Sequence, residues 1–330
     1  VATVISCGLF AAISGSSVAT AATIGTVAIP EMLNRGYEKR FVYGLLAAGG
    51  TLGILIPPSI PMIVYGFVTE ESVIALFLAG IGPGLALVAL FIAFAMTYAW
   101  AKGMGRAEKA SWDARRKATV RATPSAALAA LVVWGIYSGA FTPTEAAAIG
   151  FAAALVITVF ILRTLTWRGF REAAMESMAT TVAILLIVAG AKVFGKAITL
   201  YRIPQEISAF IADAVSGPAA FVLLVAAILI VMGLVLEALS MVLIMTPVLL
   251  PAAMGLGFDP IWFGVFMVLM VEFALITPPV GLNLYVIQAV AKAQMADVAR
   301  GAIPFIALMA VCVALLYLWP DLALYIPFKL

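Results

Sequence analysis

Gly49-Gly50-Thr51-Leu52-Gly53-Ile54-Leu55-Ile56-Pro57-Pro58-Ser59-Ile60-Pro61 lies at the centre of a run without charge from Phe41 to Thr69. Such a run exceeds the ~20 apolar residues that cross a bilayer as a helix. Yet Pro removes a backbone donor and disfavours helix in the residue before it, so Pro57-Pro58 must break this helix in mid-span. The same break recurs at Leu275-Ile276-Thr277-Pro278-Pro279-Val280-Gly281-Leu282-Asn283. A shift of 221 residues without a gap pairs Pro57-Pro58 with Pro278-Pro279, Pro30 with Pro251, Pro83 with Pro304, Gly36 with Gly257 and Gly80 with Gly301. Four of the five prolines before residue 110 fall on prolines, where composition alone gives about a quarter of one match; the chain therefore carries an internal repeat.

Composition agrees with a membrane protein. Of 330 residues, 65% are hydrophobic and 11% charged, with a mean hydropathy of +1.17, against roughly 25% charged in a soluble domain. Further uncharged runs extend from Val1 to Pro30, Ser72 to Ala101 and Ala214 to Leu236. There is no histidine, and Cys7 and Cys312 both sit in apolar segments. His-based catalysis, a Cys/His metal site and a disulfide framework are thus excluded, and the chain does not read as an enzyme. The net charge of +3 comes from basic residues in short loops, which orient a chain in a membrane and require no nucleic acid. The apolar start at Val1 has no charged n-region and does not resemble a secretory signal.

The spans follow in order. Val1 to Ile29 is interrupted at Ser14-Gly15-Ser16-Ser17; its halves are too short for ~30 Å of hydrocarbon and predict a re-entrant hairpin. Basic residues Arg35, Lys39 and Arg40, and the seven between Lys102 and Arg121, place their loops in the cytoplasm. Phe41–Phe67 then goes out and Ser72–Ala101 returns, with Glu70 and Glu71 outside. Pro124–Ala140, Thr144–Leu162 and Met178–Leu200 follow, with Arg163, Arg168 and Arg171 in an inner loop. The amphipathic Gln205–Ser216 is expected along the outer interface. Ala219–Leu250, broken near Glu237-Ala238-Leu239-Ser240, reads as a second hairpin entering from outside; Ile261–Val290 and Ile303–Trp319 complete the chain, with its C-terminus outside.

Because the two hairpins enter from opposite sides, the repeat is inverted, the architecture of secondary transporters. Residues 1–109 are the first copy, 110–123 a cytoplasmic basic loop and 124–330 the second copy. The partner of Pro124 would fall about 97 residues before Val1 (124 minus 221), so the first copy is expected to begin upstream. Elements at about 1–67 and 219–290 are assigned to transport, and those at about 72–101, 124–200 and 303–320 to scaffold.

Candidate site residues cluster at the interruptions: Ser14, Gly15, Ser16, Ser17, Gly49, Gly50, Thr51, Gly53, Pro57, Pro58 and Ser59 in the first copy, and Glu237, Ser240, Thr277, Pro278, Pro279, Gly281 and Asn283, with Glu272, in the second. Pro frees carbonyls and Gly lets backbone unwind, so carbonyls near Gly50 and Thr277 are expected to hold Na⁺, while helices restarting after each break present positive poles to an anion. Gly and Ser also serve close helix packing, and Thr142-Pro143-Thr144-Glu145 reads first as a helix cap.

The same residues carry a family resemblance. Ile13-Ser14-Gly15-Ser16-Ser17-Val18-Ala19, the run Gly49–Pro61, Phe141-Thr142-Pro143-Thr144-Glu145 and Leu275–Asn283 resemble the large membrane subunit of tripartite ATP-independent periplasmic (TRAP) transporters. The resemblance implies an all-α polytopic membrane protein of elevator type in the bacterial inner membrane, importing organic acid anions such as dicarboxylates or sialic acid with Na⁺ as coupling ion. It also implies a small four-helix membrane subunit and a periplasmic solute-binding protein as partners, and no organic cofactor. The alternative reading of the residues is a proton-coupled stand-alone anion carrier or a channel, with Glu237 and Glu272 as its acids.

Overall fold

A computed structural model describes residues 1–104, 111–203, 206 and 217–329. The segment expected to lie along the interface, apart from Glu206, falls outside the described residues, as does Glu108. Every regular element among them is helical. α1 (Ala2–Ser14) stops at Gly15, whose left-handed φ of 58° turns the chain while its N–H bonds the Ala11 carbonyl; glycine takes that conformation without a Cβ penalty. Ser16 then starts α2 (Ser17–Asn34), its hydroxyl accepting from Ala19 N. Thirteen residues at 1.5 Å each make α1 about 20 Å long, short of a bilayer core. α3 (Lys39–Leu55) ends where Ile56 is forced extended by the proline after it, and α4 (Ile60–Thr69) restarts under a Ser59 cap. α5 (Val73–Ala101) follows.

Past α5 come α6 (Trp112–Tyr137), α7 (Pro143–Val156) with a π-helical end at Ile157–Ile161, and α8 (Trp167–Leu200). Then α9 (Pro218–Met232) and α10 (Ala238–Gly255), capped by Glu237, lead to α11 (Pro260–Ile276), capped by Asp259. α12 (Leu282–Ala291), α13 (Met295–Leu318) and α14 (Asp321–Lys329) complete the chain. Both ends of α2 and α10, and both ends of α3 and α11, differ by 221 residues. The Pro57-Pro58 and Pro278-Pro279 peptide bonds are both cis.

Two compact units result. In one, Val1–Gly105 with Ala191–Leu330, the core is built on α3 and α11. Every residue from Phe41 to Leu55 is buried, as is every residue from Ile261 to Ile276 except Phe273; these helices are apolar all round, as burial on all sides requires. α13 and the pair α1–α2 pack on α3, while α9, α10 and α13 pack on α11. The helices expected as scaffold at 72–101 and 303–320 belong, as α5 and α13, to this same unit. The second unit, Arg106–Gly190, holds α6, α7 and the first part of α8.

Among the described residues, seven helical segments are long and apolar enough to cross a membrane. Trp134, Phe151, Phe160, Val182, Leu185 and Leu186 are exposed, a surface suited to hydrocarbon. The chain is a multi-pass membrane protein. Two expectations are corrected. The basic loop at 110–123 is helical from Trp112, because Ser111 caps it and Ala114, Arg115, Arg116 and Lys117 are good helix formers. Likewise Arg168 and Arg171 lie within α8 rather than in a loop.

Candidate functional site

Four helix N-termini converge on one cavity of about 120 Å³. Gly15, Ser16, Ser17 and Val18 line it from the start of α2, Ile60 and Pro61 from α4, Glu237, Ala238 and Leu239 from α10, and Leu282 from α12. Ile54 and Leu275 reach it from the C-terminal ends of α3 and α11. Each α-helix carries roughly half a positive charge at its N-terminus, and the lining contains no Lys or Arg among the described residues. The tip of α1–α2 is held against the first break: a Cβ on Gly15 would lie 2.9 Å from the Pro58 carbonyl.

Hydrogen bonds tie the start of α12 to α2 and α3 beside the cavity. Asn283, buried at the start of α12, donates through Nδ2 to Ser17 Oγ at 2.6 Å and to the Ala47 carbonyl at 3.3 Å. Its Oδ1 is buried with no partner among the described residues. Ser14 Oγ lies 3.0 Å from Thr20 Oγ1, which donates to the Ser16 carbonyl at 2.8 Å. Glu237 Oε1 accepts from the Ser240 N–H at 2.9 Å and from its hydroxyl at 3.1 Å.

The sequence-derived residues thus divide. Gly15, Ser16, Ser17 and Glu237 line the cavity, and Asn283, Ser14 and Ser240 support that lining through the bonds above. Ser59 caps α4, accepting from Met62 N, and Thr277 Oγ1 donates to the Phe273 carbonyl at 2.7 Å. Pro57, Pro58, Pro278, Pro279 and Gly281, whose φ is 55°, form the connections. The glycines of the first broken helix require a correction, since Gly49, Gly50 and Gly53 lie inside α3 and do not unwind. They are needed for size. A Cβ on Gly50 would lie 2.8 Å from Ala21 Cβ and 3.1 Å from the Ser17 carbonyl, and one on Gly53 only 2.6 Å from the Ser16 carbonyl. Thr51 is buried and donates to Ala48 O at 2.7 Å. Glu272, its mate at the 221 shift, is also fully buried, its carboxylate beside the Thr51 hydroxyl and the Ile54 N–H. Sequence reading missed Thr20, whose hydroxyl four residues after Ser16 had only a packing signature. Thr142 and Glu145, by contrast, form the expected capping box.

Residues 1–322 match the family described as "Tripartite ATP-independent periplasmic transporter, DctM component". The chain belongs to this family. It is 38% identical over 330 residues to the C4-dicarboxylate TRAP transporter large permease protein DctM of Pseudomonas aeruginosa, covering 99% of this chain and 77% of that protein. It is 34% identical to the sialic acid large permease SiaM of Vibrio cholerae (97% and 75% covered) and to the ectoine/5-hydroxyectoine large permease UehC of Ruegeria pomeroyi (99% and 76% covered). This TRAP large permease is therefore a transporter subunit and not an enzyme.

Proposed function

We propose that the chain is the permease subunit of a sodium-coupled secondary active importer of organic acid anions in the bacterial inner membrane. A periplasmic binding protein delivers the solute, and a small four-helix membrane subunit completes the complex. The observation that carries the anion reading is the convergence of four helix N-termini on a cavity with no basic side chain. Half-helix N-termini aimed at an anionic solute, with carbonyls nearby for cations, are how transporters with broken helices build a site at membrane depth.

For Na⁺ the fitting donors are hard oxygens: Asn283 Oδ1, the Ser17 hydroxyl, and carbonyls of the connection that begins at Thr277. The identical 221-residue offset of α2 with α10 and of α3 with α11 supports two copies; opposite insertion of those copies would expose the site alternately to each side. In this elevator reading the moving body comprises α1–α5 and α9–α14, which widens the transport part to include α5 and α13. The test is uptake into proteoliposomes holding the full-length complex, with solute supplied on its binding protein and an inward Na⁺ gradient. Accumulation above the external concentration supports a coupled importer, and mere equilibration indicates a channel.

A further inference from the structure

Glu272 on α11 is the one Asp or Glu buried among the described residues, and it is not part of the cavity lining. Its neighbours belong to the other broken helix: the Thr51 hydroxyl and the Ile54 N–H of α3 lie beside its carboxyl. Thr51 and Glu272 are mates at the 221 shift, each six residues before its Pro-Pro pair. The contact therefore joins corresponding turns of the two helices, one turn before Ile54 and Leu275, which line the cavity. No positive charge comes near it. The helices packed on α11 include α3, α4, α5, α9, α10, α12, α13 and α14. Their lysines and arginines, Lys39, Arg40, Arg300 and Lys329, are all exposed, and Arg40 and Lys329 pair with Asp297 and Asp321.

Burying an ionised carboxylate without a counter-charge is far more costly than burying a hydrogen-bonded neutral acid. The hydrogen bonding points the same way. Thr51 has a single hydroxyl hydrogen, which goes to the Ala48 carbonyl at 2.7 Å, so its oxygen offers Glu272 only lone pairs. A carboxylate, itself an acceptor, cannot bond that oxygen, whereas a carboxylic acid can donate to it. We propose that Glu272 is a neutral carboxylic acid that pins the two broken helices together. Its O–H donates to Thr51 Oγ1, whose own hydrogen continues to Ala48 O, and its carbonyl oxygen accepts from the Ile54 N–H. The carboxyl and the Thr51 hydroxyl are then satisfied without a charge. Glu272 is a positioning residue: it keeps the ends of α3 and α11, which bring Ile54 and Leu275 to the cavity, in one fixed arrangement, and its proton stays in place during transport. The inference does not depend on what the cavity binds.

Glu272→Gln tests this directly, because a neutral amide donates and accepts at the same two places. The full-length transporter in lipid is followed by infrared spectroscopy, by thermal unfolding and by solute uptake. The wild type is expected to show the carbonyl stretch of a protonated carboxyl, in Na⁺ and in K⁺ alike, that is missing from Glu272→Gln. Glu272→Gln should melt within about 2 °C of wild type and keep its uptake, whereas Glu272→Leu and Thr51→Val should each melt at least roughly 3 °C lower. The two losses should not add in the double variant, since each removes the same bond. A wild-type spectrum without that band overturns the inference, as does a band that vanishes when Na⁺ replaces K⁺, which would make Glu272 a cation ligand. Loss of uptake in a stably folded Glu272→Gln also overturns it, because transport then uses the proton. If Glu272→Leu fails to fold, the spectrum and the Glu272→Gln protein still decide.

Discussion

At the scale of single residues, the N-caps offer the sharpest control over the cavity. Ser16→Asp keeps a good cap on α2, since Asp and Ser serve that position about equally. It also places a second carboxylate opposite Glu237 in the lining. The protein is expected to stay folded, with its melting temperature within a few degrees of wild type, while the half-saturating concentration of an anionic solute rises at least roughly ten-fold. Gly50→Val tests packing instead. Its side chain must displace Ala21 or the Ser17 carbonyl, an overpacking cost of about 1–3 kcal/mol. Apparent Na⁺ affinity should weaken in Gly50→Val, and weaken less in Gly50→Ala, when uptake is measured against Na⁺ concentration. Asn283→Leu removes the bonds to Ser17 and Ala47 and is expected to cost about 1–3 kcal/mol with loss of Na⁺-dependent uptake. The role of these glycines was only half legible in the sequence. Gly signals either unwound backbone or close approach, and deciding between them needs the neighbour, here α2, brought in from about thirty residues away by the tertiary fold.

At the scale of elements, the breaks were readable because proline acts locally. Pro57-Pro58 and Pro278-Pro279 end α3 and α11 where the sequence requires, and Ser14–Ser17 separates α1 from α2. The apolar block Ala219–Leu250 breaks at Gly233–Glu237, a few residues before the expected Glu237–Ser240, because Glu237 is a cap and the helix resumes behind it. Helix starts beneath charged segments, at Trp112 and Trp167, were not readable from hydropathy, which detects lipid contact and is silent about polar turns beyond the membrane. The crossing of α3 and α13 yields an element-scale prediction. Gly44 and Gly301 face each other there, and a Cβ on Gly301 would collide with the Arg40 carbonyl. Gly301→Leu should therefore prevent stable folding, measured as monodisperse protein after extraction. Asp297→Asn, which removes a half-exposed ion pair with Arg40 on the same two helices, should change stability by under about 1 kcal/mol.

At the scale of the whole molecule, the membrane class follows from composition, and the family match over residues 1–322 agrees with it. The convergence of α2, α4, α10 and α12 was only partly legible: each restart is local, but their meeting at one cavity depends on how helices distant in sequence pack. The polarity of that cavity and the hard oxygens around Asn283 and Ser17 lead to one energetic claim, that Na⁺ drives anion entry. It is tested by uptake of labelled solute, presented on its binding protein, into proteoliposomes holding the complete transporter, with an inward Na⁺ gradient or with K⁺ replacing Na⁺ at equal ionic strength. The expected result is accumulation above the external concentration with Na⁺ and none with K⁺; equal uptake in K⁺ would contradict sodium coupling and turn attention to a proton, with the buried Glu272 as the acid to examine.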